Sequence, residues 1–256
     1  RRAAAQDDFP AAVENTRADL ADAGLSLDTN TFSICAIDRD RGECGVAVTT
    51  RVPQVGRLVP HVRAGVGAVA TQAFTQTRYG PAGLDLLEQG KSPAEAIELL
   101  IADDAQRESR QLGIIDVQGR TANHTGTDNG TYAGARTGTD YTVQGNLLAG
   151  RAVIDAVADA FEATADTDAR LADRLIAALE AGQRAGGDKR KGLKQSAAVV
   201  VASSRNSGVN DDHLVINLQV AEHPTPVAEL RRQYDTILHR LGYREFHLVA
   251  AHDVLK

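Results

Sequence analysis

The chain has 256 residues and a net charge of -6, with 43% hydrophobic and 24% charged residues. This is the composition of an ordinary globular protein, long enough for one large layered domain, and its charge argues against nucleic acid as a partner. Aromatics make up only 4% and Trp is absent, so Ala, Val, Leu and Ile must fill the core.

No apolar run reaches the length of a membrane span, and no signal-peptide core is found, so no membrane partner is expected. The sequence contains no Met, which leads to the expectation that the chain is processed or trimmed. A cytoplasmic location is the default, with an exported form left open.

Residues 1–30 hold six acidic and three basic side chains and so supply half of the net charge. They read as an N-terminal extension, a propeptide or accessory helix, laid before a single domain over 31–256. A strand opens at Thr31, with Thr31, Ser33 and Cys35 on one face and Phe32, Ile34 and Ala36 on the other. A turn at "DRDRGE" leads to a second strand over 44–51. One register of this hairpin sets Cys35 opposite Cys44 at disulfide distance, and a slip of one residue leaves two buried free thiols.

"GVGAVATQA" (65–73) is an apolar strand rich in Gly and Ala, which implies that something approaches its backbone closely. Helices are expected over 79–90 and 92–103. The second is marked by Ser92 as N-cap, Pro93 in the first turn and Glu95 completing a capping box. A hairpin over 110–126 turns at Gln118-Gly119, and "YTVQGNLLAG" (141–150) is a strand running into a loop. Two amphipathic helices follow, one facing inward with Val153, Ile154, Val157, Ala158 and Phe161. The other does so with Leu171, Leu175, Ala178 and Leu179. Strands are expected at 195–203 and 213–220, the latter with Leu214, Ile216, Leu218 and Val220 on one face. A helix spans Pro226 to Leu241, and "EFHLVAA" reads as a last strand. This order suggests an α+β fold of two sheets with helices stacked outside them.

Familiar site motifs are absent: no GxSxG elbow, no HExxH, no phosphate loop, no dinucleotide fingerprint. Neither Cys nor His has metal-ligand spacing, so no metal and no cofactor are expected. What stands out is a set of strand ends built from small polar residues: "TTR" (49–51), "TQ" (71–72), "HTG" (124–126), "QGN" (144–146) and "GGDKR...QS" (186–196). Strand ends converge, so such groups can line one pocket for an amide or carboxylate ligand. Each taken singly also reads as turn chemistry. His124 reads equally as a hydrogen-bonded structural histidine.

"TFSICAID...GECGVAVTTR", "RAGVGAVATQA", "YGPAGLDLLEQGKSPAEAIELL", "RQLGIIDVQGRTANHTG", "VQGNLLAG", "AALEAGQRAGGDKR" and "QSAAVVV" occur in this order. Together they resemble the DUF1028 family, a group of unestablished biochemical function placed in the Ntn-hydrolase superfamily. The resemblance implies a four-layer αββα sandwich, Ntn-hydrolase-like. In that superfamily a Thr, Ser or Cys opening the first strand is the nucleophile, and its own free α-amine is the general base. Carried over, the nucleophile is Thr31. The implied activity is hydrolysis of the amide bond of a small amide, an acylated amino acid or a short peptide.

Supporting roles follow from chemistry and placement. Arg51 could hold a substrate carboxylate as a bidentate fork, or form a surface ion pair. Thr71 and Gln72 could donate to a carbonyl oxygen, and Asn146 is a candidate oxyanion donor. Asp188 is expected to orient the nucleophile, with Arg190 binding an anionic group, although "GGDKR" also reads as a helix stop. His124 and Ser196 complete the candidate substrate site. The thirty residues before Thr31 depart from the superfamily pattern, because an intact Asn30–Thr31 peptide leaves no amine to act as base. A non-hydrolytic binding protein and a cyclohydrolase-like activity with another base therefore stay open. A small-molecule substrate and a homo-oligomer are the expected partners.

Overall fold

The computed structural model describes residues 31–130, 132–187, 195–205 and 213–241. Among the described residues, ten strands fall into two sheets. The larger has the order β10-β9-β2-β1-β8-β7 and the smaller the order β3-β4-β5-β6. All pairings are antiparallel. The strands are β1 (Thr31–Asp38), β2 (Glu43–Thr50), β3 (Pro60–Arg63), β4 (Gly67–Ala73), β5 (Arg110–Asp116), β6 (Thr121–Thr125), β7 (Gly134–Gly138), β8 (Tyr141–Asn146), β9 (Gln195–Ser203) and β10 (Leu214–His223). Five helices are described: α1 (Tyr79–Glu88), α2 (Pro93–Ile101), α3 (Arg151–Glu162), α4 (Leu171–Arg184) and α5 (Pro226–Leu241). None of the described helices is long and apolar enough to cross a membrane.

Strand alternation decides what each face meets. On β1, Phe32, Ile34 and Ala36 join Val153, Val157, Leu175 and Leu230 in one cluster, so α3, α4 and α5 cover the outer face of the larger sheet. Cys35 and Ile37 point the other way and pack with Val46, Val48, Ala68, Ala70 and Ile115 between the sheets. The outer face of the smaller sheet places Val69, Leu112 and Ile114 against Tyr79, Leu84 and Ile97 of α1 and α2. The Gly and Ala content of β4 has its reason here. Ala68 and Ala70 face the opposing sheet, where small side chains let the two backbones approach.

Most elements form where local chemistry predicts. Ser92 Oγ accepts from Glu95 N at 3.3 Å, and Ser92 N donates to Glu95 Oε2 at 2.8 Å, with Pro93 opening α2. Gly42, at φ 63°, closes the β1–β2 turn in a conformation that suits glycine. Two strands were not anticipated, β3 (PHVR) and β7 (GARTG). Both are edge strands, short and polar or glycine-rich, and neither carries a period-two apolar pattern.

Of the two readings of the hairpin, the structure has the free thiols: Cys35 pairs with Val46 and Cys44 with Ile37, and both cysteines are free and buried. One expectation is corrected. Leu214 does not share a face with Ile216, Leu218 and Val220. The β9–β10 register shifts between Leu214 and Ile216, so Val215 and Ile216 both join the outer cluster while Leu214 packs between the sheets. A bulge of this kind inverts the face of one residue, which alternation cannot foresee. The extension 1–30, residues 188–194 of the "GGDKR...QS" stretch, and "EFHLVAA" lie outside the described residues.

One buried carboxyl strains this frame. Glu43 is only 5% exposed, lies opposite Asp38 across the hairpin, and its Oε2 has no hydrogen-bond partner among the described residues. Burial first, and then the Asp38 charge, push its pKa up from 4.5 to about 6. An acid raised in the folded state binds more protons folded than unfolded between these values. Stability is therefore lost as pH rises from about 4.5 to about 6. We expect Glu43→Gln to be the more stable chain at pH 7, by at most about 2 kcal/mol. The difference should vanish near pH 4, as read by urea denaturation at both pH values.

Candidate functional site

The β-sheet register brings Thr31 to the centre of a row. Thr50 lies opposite it on β2, Asn146 opposite it on β8, and Ser196 opposite Thr50 on β9. All four sit on the face turned toward the smaller sheet, because Ser33, Val48, Gln144 and Ala198, each two residues further into its strand, do. Thr31 Oγ1 lies 2.8 Å from Thr50 Oγ1. Ser196 Oγ is already committed: it donates to Val52 O and accepts from Val55 N at 3.1 Å. It fastens the loop after β2 rather than facing Thr31 with a free hydroxyl.

Behind this row lies a buried layer of amides and hydroxyls joining the two sheets. Gln144 Nε2 donates to Ser33 Oγ at 2.6 Å, and Ser33 Oγ donates to Gln72 Oε1 at 2.6 Å. Gln72 Nε2 donates to Gln111 Oε1 at 2.8 Å, and Asn146 Nδ2 donates to the same oxygen at 3.0 Å. Gln111 Nε2 in turn donates to Gly145 O at 2.8 Å and Thr125 Oγ1 at 3.0 Å, with Gly134 O at 3.3 Å. Ser33, Gln111 and Gln144 are fully buried, and a buried amide is tolerated only when its bonds are made.

The small nucleophilic residues along β1 thus have different fates. Ser33 both donates and accepts within the layer. Cys35 donates to Gly113 O at 3.5 Å, and burial pushes its pKa up to about 12, so it stays a protonated thiol. Cys44 is raised to about 12 for the same reason. Only Thr31 stands at the end of the strand, outside this closed network.

The other candidates divide. Gln72 belongs to the layer. Thr71 does not: as the neighbour of Gln72 it takes the opposite face of β4, and its Oγ1 donates to Gln76 O at 3.2 Å. His124 is paired with Leu112, which faces α1 and α2, so it too points away from Thr31. Its Nε2 lies 2.9 Å from Arg107 O. Its neighbour Thr125 is the residue that turns inward. Arg51 follows Thr50 just beyond the end of β2 and is buried. Asp188 and Arg190 fall outside the described residues. Among the described residues no group of three or more His, Cys, Asp or Glu is placed to hold a metal ion.

Sequence reading missed Gln111, and did not foresee that Ser33 and Gln144 join it in one layer. Alternation carries the signal: Gln111, Gly113 and Ile115 share a face of β5, and Thr142, Gln144 and Asn146 share a face of β8. A polar residue at an inward position of an apolar strand must have a partner, and here the partners are one another.

Three of the five non-glycine residues with positive φ among the described residues lie at this end of the molecule. Ala73, directly after Gln72, has φ 67°, and Leu147, directly after Asn146, has φ 53°. Gln54, in the loop held by Ser196, has φ 62°. Side chains of this kind rarely adopt the left-handed region, at a cost of about 1–3 kcal/mol each, and such residues concentrate at functional sites. A separate open groove of about 520 Å³ lies between β3 and β10, lined in part by His61, Arg63, Asn217 and Gln219. Its walls include Val200 of β9, Leu214 at the start of β10, and Gly56 of the loop after β2.

With the site described, comparison with known proteins is decisive on one point. The family described as "Family of unknown function (DUF1028)" matches residues 31–230. The chain belongs to the DUF1028 family. The match begins at Thr31, the first residue of β1. The chain is similar to the crystal structure of protein SPO2555 from Silicibacter pomeroyi, of family-model DUF1028. The two share 30% identity with a TM-score of 0.74 over 85% of this chain and 93% of that one. No curated protein matches the chain.

The layer's tolerance can be tested at Gly113. A Cβ built there would lie 2.0 Å from Gln144 Oε1, so any larger residue must displace the carboxamide that donates to Ser33. Gly113→Ala is expected to destabilise the chain by about 1–3 kcal/mol, read as a lowered urea midpoint with unchanged slope.

Proposed function

We propose that this DUF1028 chain is an Ntn-type hydrolase of an amide bond in a small amide, an acylated amino acid or a short peptide, with Thr31 as nucleophile. On this reading its sheets and helices are the four layers of an αββα sandwich of Ntn-hydrolase type. The observation that carries the reading is the setting of Thr31. It opens a central strand, beside a buried layer whose members are already hydrogen-bonded to one another. Its Oγ1 meets the Thr50 hydroxyl at 2.8 Å, a neutral group that is no base at neutral pH. Once freed, the α-amine of Thr31 itself, whose ordinary pKa is about 7.7–8.0, has the basicity that this step needs.

The chemistry then runs as follows. The α-amine takes the Oγ1 proton as Oγ1 attacks the amide carbon, and Asn146 donates to the developing oxyanion. The amine returns the proton to the leaving nitrogen, and water resolves the acyl ester. Arg51, at the rim of the row, would hold a substrate carboxylate. The mechanism requires the Asn30–Thr31 bond to be open.

The reading is tested by hydrolysis of a panel of N-acetyl amino acids and dipeptides, followed by ninhydrin detection of released amine. The expected result is turnover that Thr31→Ala abolishes, with a rate that rises through about pH 7.7–8.0 as the amine loses its proton. Turnover that survives Thr31→Ala would refute the assignment.

A further inference from the structure

The geometry points to Gln111 as the positioning residue of this site, resting on the hydrolase reading above. Its side chain sets which atom of Asn146 is available beside Thr31. Gln111 is fully buried at the second position of β5 and has no route to solvent. The direction of its carboxamide is dictated by the backbone. Gly145 O and Gly134 O lie 2.8 Å and 3.3 Å from one end of it, and carbonyl oxygens can only accept. That end is therefore the nitrogen, and the oxygen faces Gln72 and Asn146. Asn146 must in turn present its nitrogen, at 3.0 Å, because an oxygen there would oppose an oxygen.

The consequence reaches the reacting atoms. A free asparagine at a strand end can turn its amide over, offering either an acceptor or a donor to a substrate carbonyl. Held by Gln111 Oε1, Asn146 keeps its Nδ2 on the inner side of the row that contains Thr31, with a second N–H left for an oxyanion. Two backbone features brace the arrangement: Leu147 is held at φ 53° immediately after Asn146, and Ala73 at φ 67° immediately after Gln72. One side chain thereby ties β4, β6, β7 and β8 to β5. Gln111 touches no substrate, and it acts through Asn146.

The test uses p-nitrophenyl acetate, which reports on an activated hydroxyl without knowledge of the natural substrate. The bond from Thr31 Oγ1 to the acetyl carbon forms and the aryl ester C–O bond breaks. The p-nitrophenolate departs with the electron pair, and the hydroxyl proton passes to the base. The quantity read is the p-nitrophenolate burst of the full chain minus that of Thr31→Ala, as a function of ester concentration. Gln111→Leu is expected to lower the maximal rate by about 100-fold with the half-saturating concentration unchanged. In an Asn146→Ala background it should cost nothing further, since it acts through that residue. Gln111→Glu keeps the accepting oxygen but needs a proton to satisfy the carbonyls. Its rate relative to the unsubstituted chain should therefore be low at pH 8 and recover as the pH falls below about 7, the buried carboxyl having a raised pKa.

Equal rates for Gln111→Leu and the unsubstituted chain would overturn the assignment, as would a full additive loss in the Asn146→Ala background. Failure of Gln111→Glu to fold even at pH 5 would also overturn it, making Gln111 a purely structural residue. A chain with no Thr31-dependent burst at all would instead remove the hydrolase reading on which the assignment rests.

Discussion

The structure depends on one constraint: amide and hydroxyl groups buried between two sheets must bond to each other, because water cannot reach them. Gln72, Gln111 and Gln144 each carry both a donor and an acceptor group. An error of one residue in the register of β5 or β8 would turn these side chains outward and leave their partners unsatisfied, at about 1–3 kcal/mol apiece. The layer therefore selects the alignment of the sheets as sharply as the apolar clusters do. It also needs space, which explains why Gly113 faces Gln144 and why the opposing positions on β4 are alanines.

The apolar half of the same interface is built from small residues for the same reason. Cys35, Ala68, Ala70, Ala198 and Ala202 allow the sheets to approach closely enough for side-chain amides to span the gap. The larger apolar side chains are placed on the outer faces, where Phe32, Phe161 and Tyr141 meet the helices. A chain poor in aromatics can afford few of them between its sheets. The outcome is polar packing near β1, β5 and β8 and apolar packing toward β2 and β9, with Thr31 where the polar part reaches the sheet end.

Much of the fold was legible because helices and central strands carry strong periodic signals. The faces of α3 and α4 and the bounds of β1 and β9 agree with periodicity and with the expected strand ends. Edge strands β3 and β7 were not legible, since each is stabilised by one neighbour and carries no apolar alternation. The bulge in β10 lay beyond any period-two rule. At the site, Thr31, Asn146 and Gln72 were legible as polar residues at strand ends. Thr71 and His124 were misplaced because a strand-end motif names two adjacent residues while the pleat sends them to opposite faces. Gln111 escaped notice because it stands at the start of its strand, and its role exists only once β5 faces β8.

The account turns on whether Thr31 has a free amine. Intact-protein mass spectrometry with N-terminal sequencing of every species tests that directly. The account predicts a species that begins with Thr31, formed from the full chain on incubation and missing in Thr31→Ala. A single species that still carries residues 1–30 after long incubation, and that nonetheless hydrolyses amides, would contradict the N-terminal threonine mechanism.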